Sequence, residues 1–283
     1  MTTATQHESI QVTIALAQYA PGVDADANRQ RLVEAVEEGA RRGADLVLAP
    51  EYASFFDGAP SEEAVRAAEP LDGPFVTATR EAASQHGIVV VASLVETGEN
   101  PSKFQNTTVA IGADGETRAV YRKMHLYDAF GASESQFVEA GSSDAELPIF
   151  AVNGVSFGIQ TCYDLRFPEV TRRLAAAGAE VILMPAQWVP GPLKEHHWNT
   201  LIAARAIEST VVVAATDHPM PHGVGLAQLV DASGVVREKL GSGEGMGLVS
   251  VDAADIAHVR ATNPSLSVRR FDAVARTGVE AQA

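Results

Sequence analysis

The sequence predicts a layered α/β fold, on three observations. Short apolar runs recur along the chain, some alternating and some continuous. Segments of helical periodicity stand between them, and several runs end directly in a polar or reactive residue. Alternating runs suit strands with one wet face, whereas continuous ones suit strands covered on both faces. The 283 residues suffice for one large α/β domain or two small ones, and no linker or fixed-period repeat divides them. Residues 10–272 are therefore read as a single domain, with 1–9 and 273–283 as tails.

Ile10, Val12, Ile14 and Leu16 alternate as in a half-buried strand, and Leu32, Val33, Val36 and Ala40 keep helical spacing up to Gly43. Residues 45–50 form a short apolar run suited to a central strand, with Glu51 immediately beyond it. A weak helix is expected over 61–69. A stronger one is expected over 74–86, because the missing N–H of Pro74 costs nothing in a first turn and Gly87 can stop the helix in a left-handed conformation. Residues 88–95 read as a buried strand. The runs 107–111 and 117–122 flank Asp114-Gly115, a hairpin signal, and Lys123 closes the second arm. Residues 124–147 lack periodicity and read as a long functional loop.

Asn153-Gly154 supplies a tight turn, after which Val155, Phe157 and Ile159 alternate towards Cys162. Pro168 then opens a helix through Leu174 that ends near Gly178. Further strands are expected over 181–185, 211–215, 226–230, 235–240 and 247–251, with a helix over 192–208 and a turn at Asp231-Ala232-Ser233-Gly234.

Hydrophobic residues make up 46% and charged residues 20%, the composition of an ordinary globular protein. The net charge of -15 argues against nucleic acid or an anionic membrane as partner. One cysteine excludes an intrachain disulfide and fits a reducing compartment. The first nine residues lack the basic and apolar regions of a signal peptide, and no apolar run approaches the roughly 20 residues that span a bilayer. These features predict a cytoplasmic protein.

Cys162 lies where a strand passes into a helix, a place where backbone N–H groups can stabilise a thiolate and the Tyr163 amide can help an oxyanion. A buried structural cysteine is the alternative, but Asp164, Arg166 and Glu169 crowd charge close to the sulfur, as at the rim of a polar cleft. Glu51, Lys123 and Cys162 each stand at the end of a strand, where ligands bind in α/β sheets. Together a carboxylate, an ammonium and a thiol can take the thiol proton, attack a carbonyl carbon and hold the oxyanion. For Glu51 and Lys123 the alternative is a solvated surface group. His125, His196, His197, His218 and His222 show no context for pairing with a thiol. The adjacent pair 196–197 does not share a helix face, which argues against zinc.

Leu48-Ala49-Pro50-Glu51-Tyr52, Tyr121-Arg122-Lys123-Met124-His125-Leu126-Tyr127-Asp128 and the run from Gly158 to Glu169 around Cys162 resemble the motifs of the nitrilase superfamily of carbon-nitrogen hydrolases, in the family's order. The resemblance extends from about Val12 to Phe271. It implies a four-layer αββα sandwich, no metal or organic cofactor, and a triad of Glu51, Lys123 and Cys162. It further implies a second carboxylate at Glu134, for which a loop charge without a task is the alternative. The residues after Cys162 resemble the amidase branch that includes omega-amidases and deaminated glutathione amidases, rather than nitrilases with Cys-Trp-Glu.

The expected activity is hydrolysis of a small carboxylate-bearing amide with release of ammonia through a Cys162 thioester. N-carbamoyl amide hydrolysis, nitrile hydrolysis and a catalytically silent sensor or interaction protein are the alternatives. Arg166 is a candidate for a substrate carboxylate or for an ion pair with Asp164 or Glu169. Gln187 is a candidate hydrogen-bond partner of substrate and Trp188 a candidate pocket wall, with core packing as the alternative for the tryptophan. Ala227 and Ala232 stand where many relatives carry serine and proline. The resemblance also implies a homodimer or larger homo-oligomer, with the segment from Asp252 onward a candidate to cross to a partner.

Overall fold

The computed structural model describes residues 10–275, so the tail expected over 1–9 and residues 276–283 of the other tail lie outside the described residues. Two sheets stack face to face, and helices cover the outer face of each. In the first sheet the strands β1 (Gln11–Gln18), β2 (Leu46–Leu48) and β3 (Val89–Thr97) run parallel. The antiparallel β4 (Phe104–Ile111) and β5 (Thr117–Arg122) extend it on one side, and β13 (Gly245–Asp252) on the other.

The second sheet repeats this plan. Its strands β8 (Val155–Ile159), β9 (Val181–Pro185) and β10 (Val212–Thr216) are parallel, and β11 (Gln228–Val230) and β12 (Val236–Lys239) continue it antiparallel. On its other edge β7 (Ile149–Val152) pairs antiparallel with β8.

Side-chain alternation along each strand assigns the four layers. Val12, Ile14 and Leu16 of β1 and Leu46 and Leu48 of β2 meet Phe157, Ile159, Val181, Leu183, Val212 and Ala214 between the sheets. The intervening residues Ala15, Ala17, Val47 and Val90 face α1 (Ala25–Arg41) and α3 (Pro74–His86). On the far side Ile182, Met184, Val213 and Ala215 face α4 (Pro168–Ala176) and α5 (Lys194–Ser209). Strands covered on both faces must be apolar at every position, which is why the central runs of the sequence are continuous. The architecture is the expected αββα sandwich.

Local signals set the ends of the elements. The Asp24 carboxylate caps α1, and α3 runs from Pro74 to His86 before Gly87 adopts φ 61. The weak helix expected over 61–69 is the short α2 (Glu62–Arg66), capped by Ser61.

Two readings are corrected, those of 124–147 and of the passage after Cys162, and two further elements appear. The run 124–147 is not structureless: it contains a one-turn 3₁₀ segment, Glu134–Gln136, and a two-residue strand, β6 (Val138–Glu139), paired parallel to β4. Residues 149–152 form β7, the first arm of a hairpin whose turn, Asn153-Gly154, has φ 48 and 85. A 3₁₀ turn, Cys162–Arg166, stands between β8 and α4, so the cysteine does not pass directly into the helix. The segment after Asp252 begins as α6 (Ala253–Thr262), which docks on its own chain. Ile256 is buried between the layers, and Arg260 donates to the carbonyls of Thr210 and Ala179. No helix of the described residues is long and apolar enough to cross a membrane.

The close seating of α1 on the first sheet depends on Gly39, where an added Cβ would come within 2.6 Å of Val47 Cγ2. Gly39→Leu is expected to force α1 off β2 and to lower stability by about 1–3 kcal/mol. Urea unfolding monitored by circular dichroism measures this, with wild-type stability in the variant as the contrary result.

Candidate active site

Glu51 follows β2, Lys123 follows β5 and Cys162 follows β8, and the stacking of the two sheets brings these strand ends together. All three side chains are buried, at 1%, 2% and 6% exposure. Lys123 Nζ donates to Glu51 Oε1 at 3.0 Å and to both carboxylate oxygens of Glu134 at 2.9 Å. The amide of Asn106 donates to Glu51 Oε1 at 2.7 Å. Tyr52 O–H donates to Glu134 Oε1 at 2.7 Å, and the Tyr127 backbone N–H to Oε2 at 2.5 Å. On the far side of Glu51, Oε2 accepts the Gln187 N–H at 2.6 Å, and the Gln187 carbonyl faces Cys162 Sγ at 3.6 Å.

The turn that carries the sulfur is held by Asp164. Its carboxylate, fully buried, accepts from the Thr161 N–H at 3.0 Å, from Tyr121 O–H at 2.5 Å and from the His125 N–H at 3.3 Å, and meets His125 Nδ1 at 2.7 Å. Tyr121 and His125 stand two residues either side of Lys123, so one carboxylate fastens the cysteine turn to the strand end that presents the ammonium. Asp164 is therefore a buried fastener rather than a charge at the rim of a cleft. Cys162 itself has φ 45, a left-handed conformation that costs a non-glycine residue on the order of 1 kcal/mol and is sustained by this anchoring.

Burial raises the Cys162 thiol well above its usual range, and the Glu51 carboxylate adds to this while Lys123 opposes it. The resting sulfur is therefore a thiol. Glu51 is also raised, by burial first, against the pull of Lys123. Burial alone would lower the Lys123 ammonium, but the Glu134 and Glu51 carboxylates outweigh it and hold the lysine well above its ordinary value. The cluster thus combines a permanent cation, a carboxylate of increased basicity and a neutral thiol. Such a set can transfer one proton and stabilise one developing oxyanion.

These groups open into a cavity of about 360 Å³. Tyr163, Arg166, Gln187 and Trp188 all line it. Arg166 pairs with neither Asp164 nor Glu169: its guanidinium lies 4.8 Å from the Trp188 ring centroid and 5.9 Å from that of Tyr163. Trp188 both walls the cavity and packs in the core, with Nε1 donating to the Lys194 carbonyl at 3.0 Å and its ring 5.5 Å from Trp198. The Gln187 side chain donates to the His222 carbonyl, so its backbone rather than its amide nitrogen serves the cluster.

Sequence reasoning missed Asn106, Tyr52, Lys194, Asp217 and His218. The polar run 105–108 inside an otherwise apolar strand was the available signal for Asn106, and adjacency to Glu51 was the signal for Tyr52. Asp217 and His218, after β10, brace the site from behind. Asp217 Oδ1 accepts the Trp188 N–H at 2.7 Å, and burial raises its carboxyl well above the ordinary range against the backbone N–H groups that oppose this.

His218 Nε2 meets the Glu51 carbonyl at 2.7 Å, and burial lowers its imidazole from 6.5 to about 4. The folded value lies below the unfolded one, so the stabilisation is present above pH 6.5 and drains as pH falls towards 4, by on the order of 3 kcal/mol. In His218→Gln the thermal midpoint is expected to fall less steeply between pH 6.5 and 4 than in wild type. Parallel curves would contradict this account of His218.

The carbon-nitrogen hydrolase family profile matches residues 13–261. Among curated relatives, the deaminated glutathione amidase of Escherichia coli O157:H7 is 33% identical over 258 residues, covering 91% of this chain and 97% of that protein. A hydrolase of Mycobacterium tuberculosis H37Rv is 36% identical over 265 residues, covering 92% and 89%. Among solved structures, a Glu-to-Gln mutant of the amidase from Nesterenkonia sp. AN1, carrying the acetamide moiety of fluoroacetamide covalently at its active-site cysteine, superposes with a TM-score of 0.78. That structure is 27% identical and covers 95% of this chain and 97% of its own. With its fold and the span of this match agreeing, the chain belongs to the carbon-nitrogen hydrolase family, in the nitrilase superfamily.

Proposed function

We propose that the protein is an amidase that releases ammonia from a small carboxylate-bearing linear amide through a thioester on Cys162. The observation that carries this reading is the buried convergence of Glu51, Lys123 and Cys162 at one end of the cavity. The relatives support it: the Escherichia coli protein is named for amidase activity, and the cysteine of the Nesterenkonia amidase accepts a covalent acetamide moiety.

Glu51 takes the Sγ proton as the sulfur adds to the amide carbon, so the thiolate never accumulates. The carbonyl oxygen becomes an oxyanion held by the Lys123 ammonium and the Tyr163 N–H. Collapse of the tetrahedral adduct breaks the C–N bond, and protonated Glu51 returns its proton to the departing nitrogen, which leaves as ammonia. Glu51 then deprotonates water, hydroxide adds to the thioester, and expulsion of sulfur with return of the proton gives the carboxylic acid and the free thiol.

Glu134 holds Lys123 charged and aimed, since both its oxygens are taken by protein donors. Arg166 receives the substrate carboxylate as a planar two-donor fork. The guanidinium meets His197 Nδ1 at 3.4 Å through Nη2 but has no carboxylate in ion-pair range among the described residues, which favours this role over an internal ion pair.

The test is ammonia release from omega-amides, deaminated glutathione, N-carbamoyl amino acids and aliphatic nitriles, with Cys162→Ala as control. Turnover is expected for carboxylate-bearing amides without carbon dioxide release, falling by more than about 10³-fold in the variant while the fold is retained. Carbon dioxide released with the ammonia would indicate an N-carbamoyl substrate, nitrile consumption a nitrilase. Activity that survives in the variant would overturn the cysteine mechanism.

A further inference from the structure

Lys194, the first residue of α5, is buried at 5% exposure, yet no carboxylate stands within ion-pair distance of it among the described residues. Its ammonium sits instead in an aromatic slot, 4.3 Å from the Phe130 ring centroid, 4.8 Å from that of Tyr127 and 5.9 Å from that of Trp188. The sole hydrogen bond of Nζ among the described residues goes to Tyr127 Oη at 2.6 Å. Rings stabilise a cation only in part, and a buried ammonium normally has a carboxylate beside it.

Arg166 shares this environment. Its guanidinium lies over Phe130 at 5.6 Å and over Trp188 at 4.8 Å, the same two rings, and its Nε is buried without a hydrogen-bond partner. Two cations that repel one another are thus held side by side on the wall of the cavity that contains Cys162. Burial, and then Arg166, pull the Lys194 ammonium below its ordinary value, as expected for a charge that lacks its counterion. Phe130, 71% exposed at φ 56, has its ring centroid 4.3 Å from the Lys194 ammonium and 5.6 Å from the Arg166 guanidinium.

From this arrangement we infer that Lys194 is a specificity-determining residue. With Arg166 it forms a two-cation subsite that receives the anionic end of the substrate, and so selects carboxylate-bearing amides over neutral amides of the same length. The inference rests on the amidase reading for the nature of the substrate, and adds to Arg166 a second, independent recognition charge. On anion entry the Nζ donor now given to Tyr127 Oη, or one of its other two N–H groups, turns to a carboxylate oxygen, while the guanidinium fork takes the other.

The test measures binding, so that it does not depend on turnover. Succinamate and butanamide, of equal chain length and differing in the charged end, are titrated by ligand-observed NMR against Cys162→Ala protein carrying Lys194, Lys194→Met or Lys194→Arg. Lys194→Met is expected to weaken succinamate roughly 10–100-fold, the range of a hydrogen bond to a charged group, and butanamide less than about twofold. Lys194→Arg is expected to recover part of the loss. Equal weakening of both ligands, no change for either, or no saturable succinamate binding when Lys194 is present would overturn the inference. Failure of the amidase reading has a different signature: succinamate binding as described, with no ammonia released by protein that retains Cys162.

Discussion

Lys123 lies buried between two buried carboxylates, and most of what surrounds it exists to make that possible. An ammonium and two carboxylates removed from water are costly, and the cost is offset only if every remaining donor and acceptor is satisfied. Here they are satisfied from four directions. Asn106 supplies a donor from β4, Tyr52 one from the turn after β2, Tyr127 one from the loop after β5, and Gln187 one from the end of β9. Deleting either carboxylate would take hydrogen-bond acceptors from the buried Lys123 ammonium and leave the donors that served that carboxylate unpaired, so Glu134 is as necessary to the geometry as Glu51. Both sheets contribute, because Asn106 lies on β4 of the first and Gln187 follows β9 of the second.

On the proposed mechanism the cluster also divides the chemical tasks between residues. Glu51 is made more basic by burial while remaining tethered to Lys123, so it can accept the thiol proton without leaving its place. Cys162 is kept as a thiol until substrate arrives, which protects a lone cysteine from adventitious oxidation. Lys123 cannot compete for the proton, because two carboxylates fix its charge. The distal end of the cavity follows a different logic. Arg166 and Lys194 have no carboxylate in ion-pair range among the described residues, and in the proposed function they supply the recognition charge, while the charges of the reacting end are paired with one another.

Much of this was legible in the residues. Continuous apolar runs announced strands buried on two faces, and Pro74 with Gly87 marked both ends of α3. The residues at the ends of three strands, Glu51, Lys123 and Cys162, were recognisable because strand ends in α/β sheets gather at one edge. Less legible were the parts that depend on packing between distant segments. Asp164 read as a cleft charge because nothing in sequence says that Tyr121 and His125 come to meet it. Lys194 gave no signal in the sequence because its slot is lined by Tyr127 and Phe130, which come from the loop after β5, more than 60 residues away. The brief pairing of β6 with β4 and the four-residue β7 were missed because strands so short have almost no periodic signal.

The account depends most directly on a covalent bond between substrate carbon and Cys162 Sγ. Rapid acid quenching of the protein during turnover of a small amide, followed by intact-protein and peptide mass measurement, observes that bond. The expected result is a mass increase equal to the amide less ammonia, located on the peptide containing Cys162, removed by hydroxylamine and absent from Cys162→Ala. Product formation at full rate with an unmodified Cys162 peptide at every quench time, or an adduct on another residue, would contradict the account.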